Sequence, residues 1–258
     1  MPDSARAAPF RYEQIGHGYA RMRREDPRIA RVIHAALGDA RTVINIGAGA
    51  GSYEPRDRHV IAIEPSDVMS AQRPAELPPA VRAAAGDLPL RDQSVDAAMA
   101  VLTVHHWDGQ QASGVREMRR VARDAVVIVT FDAEVSSRWW LTAEYLPEVA
   151  DLDRRIMPSA AALADWLGGS TRVETIPIPR DTPDWTLASF WAHPERVLDE
   201  RARNATSGFA RMDGAVIDRV VRTLSRDLRT GAWDRRHGHL RGLEAFDAGM
   251  RLIVNAPG

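Results

Sequence analysis

Short runs rich in apolar residues, many of them β-branched, recur along the chain as candidate strands. They occur at 42–46, 59–64, 95–102, 125–131, 172–178 and 250–255. Runs that are apolar throughout are typical of strands buried on both faces of a parallel sheet. Between several of these runs, as at 115–122 and 160–167, apolar residues recur instead at helical spacing. Strands of this kind that alternate with amphipathic helices predict an α/β architecture.

Residues typical of helix ends support this interpretation. Asp26 followed by Pro27 is a favourable helix start, and Gly38 is a favourable stop. We predict an open, mostly parallel, seven-stranded Rossmann-like sheet sandwiched by helices, with ligands at the carboxyl ends of its strands.

The alternation stops in the last third of the chain. From 184 to 248 the sequence shows helical patterns, such as the apolar stripe between Asp213 and Gly231, but no convincing strand. We therefore expect one domain over residues 1–258 with a helical insertion before its last strand. Its parts are an N-terminal helical cap (1–38), a core (39–183), a helical lid insertion (184–248) and a final strand (249–258).

Composition and charge exclude several kinds of chemistry. The chain has 258 residues, of which 35 are aspartate or glutamate and 34 are arginine. It contains no cysteine and no lysine. Without cysteine there is no thiolate nucleophile and no cysteine-ligated metal. Without lysine there is no Schiff base and no P-loop lysine. A balanced charge also argues against a nucleic-acid partner, because nucleic-acid binding needs a surplus of cations.

Neither a secretion signal nor a membrane span is evident. The first ten residues have no apolar core, and no run reaches the ~18 apolar residues that a span requires. We expect a cytoplasmic protein without a membrane partner. We also expect no metal site, because His237 and His239 lack the spacing of a helical ligand pair.

The strongest chemical signal is a glycine-rich turn followed by an acid. The first predicted strand leads into three glycines at alternate positions, Gly47, Gly49 and Gly51, and the second ends at Glu64. Glycines let backbone amides approach a ligand closely, and an acid after the next strand can accept hydrogen bonds from ribose hydroxyls. The two features together predict a site for an adenosine-containing cofactor.

The spacing of these glycines differs from the dinucleotide fingerprint. That fingerprint reads G-x-G-x-x-G, whereas this turn reads G-x-G-x-G and continues with Ser52. Few residues remain between the turn and the second strand for a helix that would hold a pyrophosphate. The pattern therefore favours a cofactor without a pyrophosphate group.

Residues 45–51 (NIGAGAG) resemble motif I of the class I S-adenosylmethionine (SAM)-dependent methyltransferases. Further segments are similar to that family in the same order: 64–69 (EPSDVM), 88–96 (LPLRDQSVD), 104–107 (VHHW) and 117–122 (EMRRVA). The resemblance covers roughly residues 40–135 and is nearest to the ubiquinone/menaquinone-methyltransferase-like group that acts on small molecules. It implies SAM as cofactor and S-adenosylhomocysteine as product.

The resemblance also implies cofactor-binding residues. These are Asn45, Gly47, Ala48, Gly49, Gly51, Glu64, Pro65, Met69, Ala85, Asp87, Leu88 and Val101. Glu64 would hold the ribose hydroxyls, and Pro65 and Met69 would flank the adenine. Two positions depart from the family pattern: Asn45 replaces the usual acid, and Asp87 lies three positions late, so that backbone groups of Ala85 or Leu88 can equally serve the adenine.

The resemblance implies that the loop after the predicted strand 95–102, which corresponds to the family's fourth strand, faces the transferred methyl group. It contains His105 and His106, which are candidate catalytic bases because histidine titrates near neutral pH. If they lie in an extended strand, only one of them can face the substrate. Trp139 and Trp140 are candidates for the substrate mouth, and Tyr19 of the N-terminal segment could fold over the cofactor.

The sequence therefore predicts a SAM-dependent methyltransferase that acts on a small-molecule acceptor through an oxygen, nitrogen or carbon atom. A non-catalytic SAM-binding partner or regulator is an alternative, which Asn45 and the displaced Asp87 keep open. A nicotinamide-dependent oxidoreductase is less favoured, because the turn lacks dinucleotide spacing. An RNA methyltransferase would need a basic surplus that is absent.

Overall fold

The computed structural model describes residues 24–256, and Tyr19 lies outside this range. A central sheet has the strand order β2-β1-β3-β4-β8-β5. Its strands are β1 Thr42–Ile46, β2 His59–Ile63, β3 Val95–Val101, β4 Ala122–Phe131, β5 Ser170–Thr175 and β8 Met250–Ala256. The first four strands are parallel to one another, whereas β8 pairs antiparallel with both β4 and β5. The predicted mostly parallel α/β sheet is confirmed.

The described sheet has six strands where seven were predicted. On the outer side of β2, residues 24–256 form a single parallel bridge, between Ile63 and Val81. Prolines at 74, 78 and 79 precede this bridge. Because proline has no amide hydrogen to donate, it interrupts the ladder that a seventh strand would need.

Ten α-helices occur in the described part of the chain. They are α1 Pro27–Ala36, α2 Asp67–Ser70, α3 Gln111–Val121, α4 Ala133–Ser136, α5 Pro147–Ile156, α6 Ala160–Leu167, α7 Glu200–Asn204, α8 Ser207–Ala210, α9 Gly214–Arg229 and α10 Ala232–His237. The predicted start of α1 is confirmed, because the side chain of Asp26 accepts a hydrogen bond from the Arg28 amide and Pro27 is its first residue.

Alternate residues of the central strands β1, β3, β4 and β8 belong to two hydrophobic cores. On β4, Val127 and Val129 pack on the face that carries α1 and the segment 184–248, whereas Val126 and Ile128 pack on the face that carries α3 and α6. All four side chains are at most 1% exposed. Burial of both faces explains why β4 is apolar from Ala125 to Val129, whereas the edge strand β5 is largely exposed and polar.

The segment 184–248 is mainly helical, as predicted, but it also contributes a short strand. Ala245–Phe246 (β7) pairs antiparallel with Ile178–Pro179 (β6), so the strand predicted at 172–178 is divided between β5 and β6. Two-residue strands are too short to show any periodicity in the sequence. The segment is held to the rest of the molecule by apolar packing, with Trp191 and Trp233 fully buried in the first core.

Within residues 24–256, no helix combines the length and the apolar character that a membrane crossing needs.

Candidate functional site

A cavity of about 590 Å³ opens at the carboxyl edge of the parallel strands. Its wall includes residues at the ends of four strands. Ile46 and Phe131 are the last residues of β1 and β4, and Glu64 and Leu102 directly follow β2 and β3. The opposite wall comes from α4, α5 and the stretches 186–188 and 206–208. The cavity therefore lies where an open α/β sheet is expected to bind its ligand.

The glycine turn after β1 forms one end of this cavity. Gly47 has a φ of 70°, and its amide and that of Ala48 both donate to the Ile63 carbonyl at 2.9 Å. A Cβ at Gly47 would lie 2.1 Å from Thr103 Oγ1, and a Cβ at Gly51, where φ is 91°, would lie 2.2 Å from Leu77 Cδ1. Both positions therefore require glycine for space and for backbone conformation.

Glu64 joins the end of β2 to the glycine turn. Its Oε2 accepts a hydrogen bond from the Gly49 amide at 2.8 Å, and its Oε1 accepts one from the Ser66 amide at 2.9 Å. The residue is 8% exposed and lines the cavity. Each carboxylate oxygen can accept a second hydrogen bond, so Glu64 can still receive hydroxyl donors of a ligand.

A buried ion pair lies beneath the glycine turn, and the sequence analysis did not identify it. Glu54 accepts hydrogen bonds from Asn45 Nδ2 at 2.9 Å and from Arg73 at 2.9 and 3.1 Å. Arg73 Nη1 also donates to the Gly49 carbonyl at 3.3 Å. Glu54 therefore provides a carboxylate beside Asn45, the position at which the resembled family has its acid. Glu54 and Arg73 lie nine and 28 positions after Asn45 in the sequence, so no local sequence pattern indicates that the three residues are in contact.

The remaining predicted cofactor residues divide into two groups. Pro65, Met69, Ala85 and Val101 line the cavity together with Asn45, Ala48 and the glycines. Asp87 and Leu88 do not appear in its wall: the side chain of Asp87 is exposed, and Leu88 packs in the second core while its amide donates to Glu117 at 2.9 Å. Ala85, Asp87 and Leu88 were the candidates for the edge of the adenine, and of these three only Ala85 lines the cavity.

Both candidate histidines line the cavity, which differs from the expectation that only one could do so. They lie in a 3₁₀ turn, Val104–His106, and not in an extended strand. Their ring centroids are 3.8 Å apart. A 3₁₀ turn does not alternate its side chains between opposite faces as a strand does, so two adjacent rings can face the same side.

Arg211 fixes the hydrogen-bonding role of His106. Its Nη2 lies 3.2 Å from His106 Nδ1. A guanidinium only donates, so Nδ1 accepts and the ring proton of neutral His106 lies on Nε2. This arrangement favours a donor role for His106 over the base role predicted from the sequence.

Asp153 is a further ionisable group in the cavity wall that the sequence analysis missed. It lies on α5, near Val149 and Met157, which also line the cavity. Burial raises the pKa of its carboxyl group, and the positive charge of Arg211 lowers it. Burial has the larger effect, so the pKa rises to about 6. Asp153 lies among charged residues in the sequence of α5, so the sequence alone does not indicate that its carboxyl group is buried.

The two candidate tryptophans have different positions. Trp139 lines the cavity, whereas Trp140 is buried behind it and its Nε1 donates to the Trp191 carbonyl at 2.8 Å. The ring of Trp140 also meets the ring of Trp233 edge to face, with centroids 5.4 Å apart. Trp140 is therefore a core residue, and only Trp139 is available to a ligand.

Arginines of the segment 184–248 lie away from the cavity wall. Arg236 pairs with Asp227 and Glu144, and Arg241 pairs with Glu195 and Asp234. His237 Nε2 contacts Glu144 at 2.8 Å. Over residues 24–256, no cluster of three or more histidine or acidic side chains has the arrangement of a metal site.

Comparison with known proteins agrees with this geometry. Residues 44–130, which span β1 to β4, match the family model of a methyltransferase domain. No curated protein sequence matches the chain. A protein of Anabaena variabilis, described as a methyltransferase from an antibiotic biosynthesis pathway, is 29% identical; the match covers 91% of this chain and 99% of that one, with a TM-score of 0.83.

Two more distant structures are similar in fold. Phosphoethanolamine N-methyltransferase 2 of Haemonchus contortus, crystallised with SAM, has 15% identity and a TM-score of 0.52 over 89% of this chain and 52% of that one. A protein of Haloferax volcanii, described as a methyltransferase in complex with the Trm112 activator, has 15% identity and a TM-score of 0.50 over 95% and 97%. Residues 44–130 thus match a methyltransferase domain, and the similarity to the Anabaena protein extends over nearly the whole chain.

Proposed function

We propose that the protein transfers the methyl group of SAM to a small-molecule acceptor held in the cavity. One observation carries this proposal: a single cavity joins the glycine turn and Glu64 to a wall that contains His105, His106, Asp153 and Trp139. Its volume of about 590 Å³ lies within the range of small-molecule sites. The similarity to an Anabaena protein described as part of an antibiotic pathway supports an acceptor of this size.

The strand-edge half of the cavity would hold the cofactor. The glycine turn would lie against the methionine part of SAM, because its small residues Gly47, Ala48 and Gly49 line the cavity and allow a close approach. Glu64 would accept the two ribose hydroxyls while keeping its bonds to the Gly49 and Ser66 amides. Pro65 and Met69 would lie on either side of the adenine. Bound in this way, SAM supplies an electrophilic methyl group on a positively charged sulfur.

The other half of the cavity would hold the acceptor. Its wall includes apolar and aromatic side chains, with Phe131 from the end of β4, Trp139 after α4 and Leu187 from the segment 184–248. Such side chains bind the apolar faces of a planar compound. Methyl transfer from a sulfonium is an in-line displacement, and holding the acceptor atom on the line of the S–CH₃ bond supplies much of its acceleration. We infer that residues 184–248 act as a lid that shapes this half and keeps water out.

Calorimetric titration with SAM and S-adenosylhomocysteine tests the cofactor half. Both should bind the wild-type protein, whereas NADH should not. Glu64→Ala should weaken binding of both by about 1.5–3 kcal/mol, because the charged hydrogen bonds to the ribose are lost. Glu244→Ala is the matched control, since its side chain is 94% exposed and far from the cavity wall. Unchanged affinity in Glu64→Ala would contradict the ribose assignment.

Turnover separates an enzyme from a protein that only binds SAM. Methyl-labelled SAM is incubated with a panel of hydroxyl, amine and carboxylate compounds, and label in the acceptor is measured together with S-adenosylhomocysteine. Transfer that exceeds a protein-free control would support the proposal. Tight SAM binding without transfer to any compound would instead favour the non-catalytic SAM-binding role.

A further inference from the structure

Ionisable side chains from two different elements of the described structure meet in the cavity wall. His105 and His106 follow β3 at the sheet edge, whereas Asp153 lies on α5 in the facing wall. Arg211, which follows α8, contacts His106 and also acts electrostatically on Asp153. The described wall also contains the charged residues Arg24, Glu25, Arg56 and Glu64. Ser136 and Thr206 are neutral and already donate to backbone carbonyls.

His106 is poorly placed to remove a proton. Its Nδ1 accepts from Arg211, so its other ring nitrogen carries the hydrogen and can only donate. Protonating the ring would also place a second positive charge 3.2 Å from a guanidinium. His106 is therefore suited to donate a hydrogen bond to an electron-rich atom.

We propose, on the basis of the function proposed above, that Asp153 is the catalytic base that takes the proton from a hydroxyl group of a planar acceptor. His106, held by Arg211, donates a hydrogen bond to the same oxygen. Arg211 is a positioning residue, because it contacts His106 and does not line the cavity.

The step balances in atoms and electrons. The Asp153 carboxylate takes the hydroxyl proton, and the oxygen lone pair forms a bond to the methyl carbon of SAM. The carbon–sulfur bond breaks, and its electron pair stays on sulfur. The products are a methyl ether, neutral S-adenosylhomocysteine and a protonated Asp153, which returns its proton to solvent when the products leave.

The environment of Asp153 suits this role. Burial brings the pKa of its carboxyl group to about 6, so that it is mostly ionised at neutral pH and yet remains a useful proton acceptor. The same surroundings disfavour an amine acceptor. Methylation of an amine creates a cationic product near the Arg211 charge, whereas an oxygen that gains negative character is stabilised by that charge and by the His106 donor.

The acceptor class is tested with methyl-labelled SAM and four probes, namely catechol, 4-nitrophenol, 2-naphthol and 2-phenylethylamine. We expect transfer to at least one of the phenols and none to the amine. Transfer to the amine alone, or to no phenol while SAM still binds, would overturn the hydroxyl assignment. Absence of SAM binding in the wild-type protein would instead contradict the proposed function itself.

The base is tested with Asp153→Asn, which keeps the size of the side chain and removes its charge. We expect unchanged SAM affinity by calorimetry and a kcat lower by about 10²–10⁴-fold with the phenol that the wild type methylates best. The acidic limb of the wild-type kcat profile, with an apparent pKa near 6, should disappear. Asp153→Glu should recover part of the rate, because it restores a carboxylate.

The matched control is Asp151→Asn on the same helix, whose side chain is 64% exposed and pairs with Arg154. It should retain both the wild-type kcat and the wild-type pH profile. An Asp153→Asn variant with wild-type kcat and an intact acidic limb would overturn the assignment of the base. A variant that loses SAM affinity and rate together would also overturn it, because that result indicates a structural role.

Discussion

Replacing Arg73 with methionine tests whether the ion pair under the glycine turn supports the site. The side chain of Arg73 is 4% exposed and that of its partner Glu54 is 0% exposed. Methionine keeps much of the length of the arginine stem but leaves Glu54 buried with Asn45 as its remaining side-chain donor. Breaking a buried pair by removing one partner costs about 3–5 kcal/mol, a large part of the ~5–15 kcal/mol that stabilises an ordinary domain.

The free energy of unfolding is measured from urea denaturation followed by circular dichroism. Arg82→Met is the matched control, because its pair with Asp67 is exposed, with 72% and 74% of the side chains accessible, and should contribute at most about 1 kcal/mol. The double variant Glu54→Gln, Arg73→Met removes both charges and should recover part of the loss, since no unpaired carboxylate remains. If Arg73→Met destabilises no more than Arg82→Met, the reasoning is refuted.

Three further variants probe the frame around the site. Asp96→Asn should lower the free energy of unfolding at pH 7 by about 1.5–3 kcal/mol. Hydrogen bonds, first of all from Arg123, hold the pKa of the Asp96 carboxyl below its ordinary value in the folded state, so the stabilisation exists above pH ~4 and the difference from wild type should shrink in urea titrations at lower pH. Tyr53→Phe removes the hydroxyl that donates to buried Asp184 at 2.8 Å and should also cost about 1.5–3 kcal/mol; an unchanged thermal midpoint would show that this bond contributes nothing. Gly47→Ala should lower both the thermal midpoint and the SAM affinity, because its Cβ has no room, and wild-type values for both would contradict the turn geometry.

The parts of the fold that follow from local pattern could be predicted from the sequence. The strands β1 to β4 were expected from their apolar runs, and the start of α1 from Asp26 and Pro27. Glu64 and the glycine turn could be associated because parallel neighbouring strands end at the same edge. The glycine turn and Glu64 are also close in sequence, so few other placements of one relative to the other were possible.

Features that depend on long-range packing could not be predicted in this way. Trp139 and Trp140 look equivalent in the sequence, and only the packing of Trp191 and Trp233 determines which one reaches the cavity. Asp153 belongs to the cavity because α5 packs across from the end of β3, a relation that no local spacing encodes. The described sheet has six strands and not the predicted seven, and a single bridge at Val81 is the only pairing that extends it past β2 within residues 24–256.

The antiparallel strand β8 has a consequence for how the protein is made. It separates β4 from β5 in the sheet, yet it is translated after the whole segment 184–248. While the ribosome is still adding that segment, β1 to β4 can already assemble with the glycine turn, but β4 keeps an open apolar edge and β5 has no neighbour in the sheet. Open strand edges on incomplete chains invite aggregation and chaperone binding. A nascent chain stalled before Met250 should therefore be a target for quality control, and the arrival of β8 completes the sheet.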